Sequence, residues 1–103
     1  MRDSFYDSKK WDHLRGSILR RDGYKCQYFA RFGKQRQANT VHHVFPRREF
    51  PQYEYKPWNL VSLSKEAHDM MHIRQSDDLT ETGKELLRRV ARKNGIEIPE
   101  KYK

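Results

Sequence analysis

Four of the five histidines in this 103-residue sequence lie between positions 42 and 72, and their spacing limits how the chain can fold. His68 and His72 are four residues apart, so on a helix their imidazoles would project from the same face. Imidazole is the commonest side-chain metal ligand. We therefore expect this pair to bind one divalent ion; the alternative is a helix face that is simply covered by solvent.

The adjacent residues His42 and His43 are the only other histidine cluster, so one of them would supply a third ligand. Both cannot easily do so, because neighbouring side chains on an extended segment project to opposite faces. The other imidazole would then be available for proton transfer. Three protein ligands, an open coordination position and a nearby base form a hydrolytic metal centre. The fifth histidine, His13, lies in a separate amphipathic segment, and we interpret it as structural.

Charge and composition narrow the class of protein. The net charge is +8 and the pI is about 9.8, so we expect a polyanionic partner, with nucleic acid favoured over a membrane surface. With 35% hydrophobic residues, the chain is expected to form one small domain over residues 1–103. It has no apolar run of about 20 residues and no secretory segment at its start, so we expect no membrane association and a cytoplasmic location.

Hydrophobic periodicity predicts a first helix over about residues 8–22, which Asp22-Gly23 would end. The aromatic segment 24–29 and the β-branched segment 40–44 predict a β-hairpin with an irregular connection. The apolar residues at helical spacing in the first helix are Trp11, Leu14, Ile18 and Leu19.

The second half of the chain begins with a predicted loop, because residues 46–58 contain three prolines. Residues 59–63 are expected to enter a helix with Ser64 as its N-cap, and this helix would carry both His68 and His72. A last helix is predicted over about residues 80–94, with Gly83 tolerated in its first turn, and the tail after it is expected to be loosely ordered.

These motifs resemble the His-Asn-His (HNH) endonuclease family, in particular its small bacteriophage-encoded members. The resemblance covers about residues 11–92. It rests on His42-His43-Val44, on Asn59-Leu60-Val61-Ser62-Leu63, on Ala67-His68 through His72, and on the Trp11 helix followed by Arg21 to Gln27. The implied fold is α+β: a ββα-metal core over about residues 24–75, in which two antiparallel strands and a helix hold one divalent ion, with flanking helices.

The resemblance also implies a role for each matching residue. His43 aligns with the general base, and His42 with the first metal-ligand position. His68 aligns with the closing histidine of the motif, also a ligand, and His72 with the extra ligand of the colicin-type DNases. Asn59 aligns with the asparagine that braces the loop bearing the base; by itself it could equally cap a turn.

Many relatives carry a structural zinc between two Cys-x-x-Cys pairs, at the positions of residues 26–29 and 64–67 here. Three of those four thiols are missing, and Cys26 alone cannot hold tetrahedral zinc. We therefore expect no structural zinc, and predict that Cys26 and Phe29 pack in the core. With this single cysteine, an intramolecular disulfide is impossible, in keeping with a reducing compartment.

The implied activity is metal-dependent hydrolysis of phosphodiester bonds in double-stranded DNA, as a nick or a cut. An all-imidazole site favours Zn²⁺, Ni²⁺, Co²⁺ or Mn²⁺ over Mg²⁺, which prefers oxygen ligands. The association of similar phage proteins with genome packaging implies the terminase as a partner, inside a bacterial host cell. The expected phosphate contacts are Arg47, Arg48, Lys34 and Arg36, with Arg20 and Arg21 as further candidates, although each could be plain solvated surface.

Two other functions fit the same residues. In a metal-stabilised nucleic-acid-binding module, all four clustered histidines would be structural, and His43 would be dispensable. A host-killing toxin of the colicin DNase kind is disfavoured because the sequence has no translocation or receptor domain. The basic run Arg88, Arg89, Arg92 and Lys93 is interpreted as a soluble exterior.

Overall fold

A computed structural model describes residues 4–103 of the chain as four α-helices and a two-stranded antiparallel sheet. The helices are α1 (Lys9–Arg21), α2 (Gln27–Ala30), α3 (Lys65–Asp69) and α4 (Glu81–Asn94), and the strands are β1 (Thr40–His43) and β2 (Leu60–Leu63). Short 3-10 turns lie at Ser4–Asp7, Pro51–Tyr53, Pro57–Asn59 and Glu100–Tyr102. This is the expected α+β arrangement. In the described part of the chain, no helix is both long and apolar enough to cross a membrane.

Helix α1 is held by contacts at both ends. The Ser8 hydroxyl accepts a hydrogen bond from the Trp11 backbone N–H at 3.1 Å, which is an N-cap. At the other end, the Asp22 carboxylate accepts from the Ser62 N–H at 3.0 Å and thereby ties the helix to β2. The buried side chains Trp11, Ile18 and Leu19 lie on one face, so the predicted first helix is confirmed.

The sheet pairs β1 with β2, with His42 opposite Val61 and His43 opposite Leu60. The predicted hairpin between residues 24–29 and 40–44 is therefore wrong. Residues 27–30 form α2, from which Tyr28 and Phe29 pack against the core, and burial of these aromatic side chains overrides their strand propensity. The expectation that residues 59–63 enter a helix is wrong as well, because 60–63 is the partner strand of β1.

Helix α3 begins as predicted, with the Ser64 hydroxyl accepting from the Ala67 N–H at 3.2 Å, but it ends at Asp69. His72 therefore lies outside this helix, in an isolated β-bridge with Leu79. The chain turns back here because the Ile73 N–H donates to the Asp78 carbonyl at 2.8 Å, a bond that replaces the helical one. The prediction that one helix carries both His68 and His72 is wrong.

Helix α4 is confirmed, with the Thr80 hydroxyl capping its start and Gly95 in the left-handed conformation at its end (φ 66°). The structure requires glycine at position 83, because a Cβ there would collide with the Met71 carbonyl oxygen. The tail is not loosely ordered. Tyr102 is 3% exposed, and its hydroxyl donates to Glu49 Oε1 at 2.5 Å.

The larger hydrophobic core cluster joins α3, α4 and the segment around Cys26, whereas the smaller one lies between α1 and the sheet. The predicted packing of Cys26 and Phe29 is confirmed: Cys26 is fully buried in the larger cluster, and Phe29 packs against it. Burial raises the pKa of the Cys26 thiol, but hydrogen bonds from the backbone of Phe29 and Ser64 outweigh this effect and lower it overall.

Candidate metal centre

Three imidazoles converge where β1 packs against α3. His42 comes from β1, His68 from α3 and His72 from the bridge that follows α3. One potential ligand atom from each ring lies within 4.8 Å of the other two. The ring centroids form a nearly equilateral triangle, with separations of 5.2, 5.2 and 5.3 Å. The three nitrogens can therefore reach a single ion.

His42 has the environment expected of a ligand. It is 1% exposed, and neither Nδ1 nor Nε2 has a hydrogen-bond partner in the described part of the chain. A buried polar group without a partner costs about 1–3 kcal/mol, so native structures rarely leave one unsatisfied. Coordination of a divalent cation would satisfy one of the two nitrogens, the one that carries the lone pair. The buried, unpaired nitrogens and the all-imidazole donor set both fit such an ion.

The pKa values of the cluster also favour metal binding. Burial holds the pKa of His42 well below its ordinary value, and the nearby His68 and His72 lower it further. Burial lowers the pKa of His68 too, and proximity to His72 adds to this effect. Neutral imidazole is the form that binds metals, so these ligand rings are ready to bind at neutral pH.

His72 is oriented by a backbone carbonyl. Its Nδ1 lies 3.3 Å from the Asp77 carbonyl oxygen, which can only accept a hydrogen bond. Nδ1 must then carry the proton in this contact, and Nε2 keeps its lone pair. A hydrogen bond from the ring nitrogen that does not bind the metal fixes the tautomer and orientation of a metal-binding histidine.

His43 occupies a separate environment on the other face of the sheet. Its Nε2 lies 3.1 Å from the Glu54 carbonyl oxygen, so Nε2 donates and Nδ1 retains a lone pair. Trp11 stacks on the ring, with centroids 5.1 Å apart and planes 21° apart. Burial lowers the pKa of His43, although the Glu54 carbonyl opposes this shift. The ring is thus neutral at pH 7 and fixed in one orientation.

Two further aromatic rings flank His43. The edges of Phe5 and Tyr6 approach it with centroid distances of 5.7 and 6.2 Å. The Arg47 guanidinium lies over both rings, 4.3 Å from the centroid of Phe5 and 5.2 Å from that of Tyr6. Arg47 also forms an ion pair with Glu54 at 3.4 Å. The arginine is therefore held beside the histidines by stacking and by charge.

Asn59 is completely buried and bonds to the loop that follows β1. Its side-chain oxygen accepts from the Phe45 N–H at 2.7 Å, and its amide donates to the Phe45 and Tyr53 carbonyls at 3.3 and 3.2 Å. These contacts fasten the residues just after His43 to those just before Glu54, whose carbonyl holds the imidazole. The turn-capping alternative does not describe this arrangement.

A cavity of about 510 Å³ joins these groups, and all four clustered histidines line it. Arg47 and Arg48 line the same cavity; Arg48 is exposed and pairs with Asp77 at 3.5 Å. Lys34 and Arg36 are exposed but lie outside the cavity lining, and Arg36 sits over the ring of Phe29. The structure thus brings two of the four predicted phosphate contacts to the histidines.

Several contacts in and around this site are not predictable from residue type and spacing. Arg21 was a candidate phosphate contact, but its guanidinium donates to the Pro57 and Leu60 carbonyls at 3.0 and 2.8 Å and so serves the fold. The Glu54 contact uses a backbone carbonyl and leaves no trace in the residue type. The sequence predicts Trp11 only as a helix residue. The three aromatic residues within positions 5–11 could have indicated a ring cluster that packs on a neighbouring side chain. His13 is exposed on α1, as expected for a residue outside the site.

Comparison with solved structures gives a match to the crystal structure of an HNH endonuclease of the deep-sea thermophilic bacteriophage GVE2, which contains a manganese ion. The two chains are 30% identical and superpose with a TM-score of 0.63, over 64% of this chain and 72% of the phage enzyme. Neither a protein-family model nor a curated protein matches the sequence. At this identity and coverage, the shared ββα architecture reflects common descent, and the chain belongs to the HNH endonuclease family.

Proposed function

We propose that this protein is a metal-dependent endonuclease that hydrolyses phosphodiester bonds in double-stranded DNA. One observation carries the proposal: the triad His42, His68 and His72 and the separately held His43 line a single cavity. A cation site beside a neutral base is what phosphodiester hydrolysis needs. Family membership supports nuclease activity, and the net charge of +8 supports a nucleic acid substrate.

In the proposed mechanism, His43 is the general base. Because Nε2 donates to the Glu54 carbonyl, Nδ1 is the atom that would accept a proton from the attacking water. The water oxygen then bonds to phosphorus, the bond from phosphorus to the 3′ oxygen breaks, and that oxygen takes a proton from solvent. The stacked Trp11 would keep the imidazole aligned during this step.

The metal would be held by His42, His68 and His72. When bound there, a divalent cation neutralises charge that builds on the phosphate and on the departing oxygen. The manganese in the phage relative supports a transition metal, and the imidazole ligands favour Mn²⁺, Zn²⁺, Ni²⁺ or Co²⁺ over Mg²⁺.

The remaining residues would position the base and the substrate. Asn59 would brace the loop between His43 and Glu54 through its bonds to Phe45 and Tyr53. Arg47 and Arg48 would contact the phosphate backbone at the cavity, with Lys34 and Arg36 as more distant contacts. We also propose that the protein is phage-encoded, acts in the cytoplasm of a bacterial host and works with the terminase in genome packaging; the phage origin of its relative supports this setting.

The test is cleavage of supercoiled plasmid by metal-stripped protein supplied with Mn²⁺, Ni²⁺, Zn²⁺ or Mg²⁺. The His43→Ala variant should cut about 10²–10⁴-fold more slowly than the wild type while still binding Mn²⁺ in calorimetry. His13→Ala, which removes an exposed histidine outside the site, should cut normally. If the wild type binds DNA but does not cut it with any of the four metals, the protein is a nucleic-acid-binding module and not a nuclease. If His43→Ala cuts normally, His43 is not the base.

A further inference from the structure

A second cavity, of about 380 Å³, lies between α2 and α4 and shares no lining residue with the histidine cavity. Four of its lining residues are aliphatic: Val61 and Leu63 from β2, and Leu86 and Val90 from α4. Val61 and Val90 are only partly buried, so the cavity leaves apolar surface open to solvent. A cleft of this volume, lined by apolar side chains with a few charged groups beside them, is typical of a binding site.

The rim of this cavity is basic. Arg31, Arg89 and Lys93 line it, and within residues 4–103 none of them forms an ion pair or hydrogen bond with a carboxylate. Burial lowers the pKa of Arg89, the nearby Arg31 lowers it further, and Glu85 on the same helix only partly opposes this. Two guanidiniums that repel each other beside apolar surface form a site to which a carboxylate can bind with charge-assisted hydrogen bonds.

A small cavity of about 90 Å³ extends the same surface toward the start of α4. It shares Tyr28, Arg31, Leu86 and Arg89 with the larger cavity and adds Phe32, which is 58% exposed, together with Thr82 and Glu85. Glu85 is the one carboxylate among these lining residues, against the three cations Arg31, Arg89 and Lys93. The α4 residues that line the two cavities run from position 82 to position 93, which corresponds to about 16 Å of helix. Together they form one groove, long enough for about three turns of a second helix.

We propose that this groove binds a short amphipathic helix of another protein, with apolar side chains over Val61, Leu86 and Val90 and carboxylates on Arg31, Arg89 and Lys93. Helix-in-groove recognition combines these elements: apolar anchors on one helix face and charged residues beside them. Arginine and aromatic residues are also the types enriched in binding hot spots. The proposal is independent of nuclease activity, because the groove and the histidine cavity have no lining residue in common.

Two other occupants fit less well. A second copy of this chain would bring another net charge of +8 to an already basic rim, and like charges oppose that pairing. A DNA backbone would satisfy the arginines but would leave the partly buried side chains of Val61 and Val90 without an apolar partner. Only a segment that carries both carboxylates and apolar side chains matches the rim and the aliphatic surface together.

The experiment is a selection of random 16-residue displayed peptides on the full-length chain, followed by affinity measurements on the enriched peptides. We expect these peptides to carry Asp or Glu beside apolar residues spaced three or four apart. Arg31→Gln/Arg89→Gln should weaken their binding about tenfold or more. The matched control, Arg74→Gln/Arg92→Gln, removes two exposed arginines that do not line the groove and should leave peptide binding unchanged.

Thermal melts of both double variants verify that they are folded, and each variant is also tested with a 30-base-pair duplex and by sedimentation. The proposal is overturned if no peptide is enriched, or if the enriched peptides bind both double variants equally well. A groove variant that loses duplex binding but keeps peptide binding would identify a nucleic acid contact instead. If the wild type and the control variant sediment as dimers and the groove variant sediments as a monomer, the occupant is a second copy of the chain.

Discussion

The indole of Trp11 stacks on the imidazole of His43, with ring centroids 5.1 Å apart and planes 21° apart. Trp11 belongs to α1, whereas the four clustered histidines come from β1, α3 and the bridge that follows α3. Among residues 4–103, the only polar contact of the His43 ring is at Nε2, with the Glu54 carbonyl. The flanking helix thus completes the site by fixing one face of the ring that we propose as the base.

Replacing Trp11 should therefore affect turnover more than metal or DNA binding. We expect Trp11→Leu, which removes the aromatic face, to slow cleavage by about 10²-fold, the order of loss seen when a catalytic group is displaced by about 1 Å. Trp11→Phe retains an aromatic ring and should recover much of that loss. Single-turnover rates at saturating Mn²⁺, measured below the melting temperature of each variant, provide the comparison. If Trp11→Leu cleaved DNA as fast as the wild type, Trp11 would have no role in positioning His43.

Metal binding should stabilise the fold through the His42, His68 and His72 triad. At a metal concentration 100 times the dissociation constant, linkage gives about 2.7 kcal/mol, which for a chain of this size raises Tm by about 10 °C or more. His68→Ala should remove this increase, whereas the exposed His13→Ala should keep it. Calorimetric scans with Mn²⁺ and with chelator measure the effect. If Mn²⁺ raised the Tm of His68→Ala as much as that of the wild type, the ion would bind at another site.

The lowered pKa of His43 sets the pH dependence of cleavage. A base must be neutral to act, so the rate should be constant near pH 7 and fall only as pH drops through a pKa below the ordinary value of about 6.5. His42 and His68 shift in the same direction, so the unfolded state binds more protons and stability also falls in this range. The cleavage rate and the Mn²⁺ occupancy are both measured at each pH. A rate that falls while the metal stays bound reports protonation of His43, whereas a joint fall reports protonation of the ligands. If the cleavage rate at full metal occupancy had its midpoint above pH 6.5, His43 would not be the base.

Asn59 should be important for both stability and activity. Asn59→Ala leaves the buried Phe45 N–H without its acceptor, at a cost of about 1–3 kcal/mol, and frees the loop between His43 and Glu54. Asn59→Asp keeps an acceptor but buries a charge and loses both donated bonds, so we expect it to be at least as destabilising. Denaturant midpoints and cleavage rates measure the two effects. An Ala variant of normal stability that cuts normally would exclude the bracing role.

Local chemistry made much of this molecule predictable from its sequence. Ser8, Ser64 and Thr80 act as N-caps, and Gly95 ends α4, because caps depend on residues within a few positions of one another. The grouping of His42, His68 and His72 was expected from residue type and from the family resemblance. His68 and His72 do lie close together, but not on one helix as their spacing predicted, since His72 lies beyond α3.

Most of the incorrect predictions involve contacts between distant parts of the chain; the early end of α3 instead follows from a local turn that the Ile73 N–H and the Asp78 carbonyl close. Residues 24–29 have strand propensity, yet β1 pairs with residues 60–63, because register and pairing depend on which faces become buried. The order of the tail likewise depends on Tyr102 reaching Glu49, across about half of the chain.

Residue types and short-range hydrogen bonds were enough to predict the first and last helices, the Ser64 cap and the family, because these features do not depend on the rest of the fold. Only the tertiary structure decided that His43 lies between Trp11 and the Glu54 carbonyl, and that Arg31 faces Arg89 across an open apolar groove. Burial and backbone carbonyls create these relationships. Both arise only when segments far apart in the sequence pack together, and neither is encoded in any local pattern.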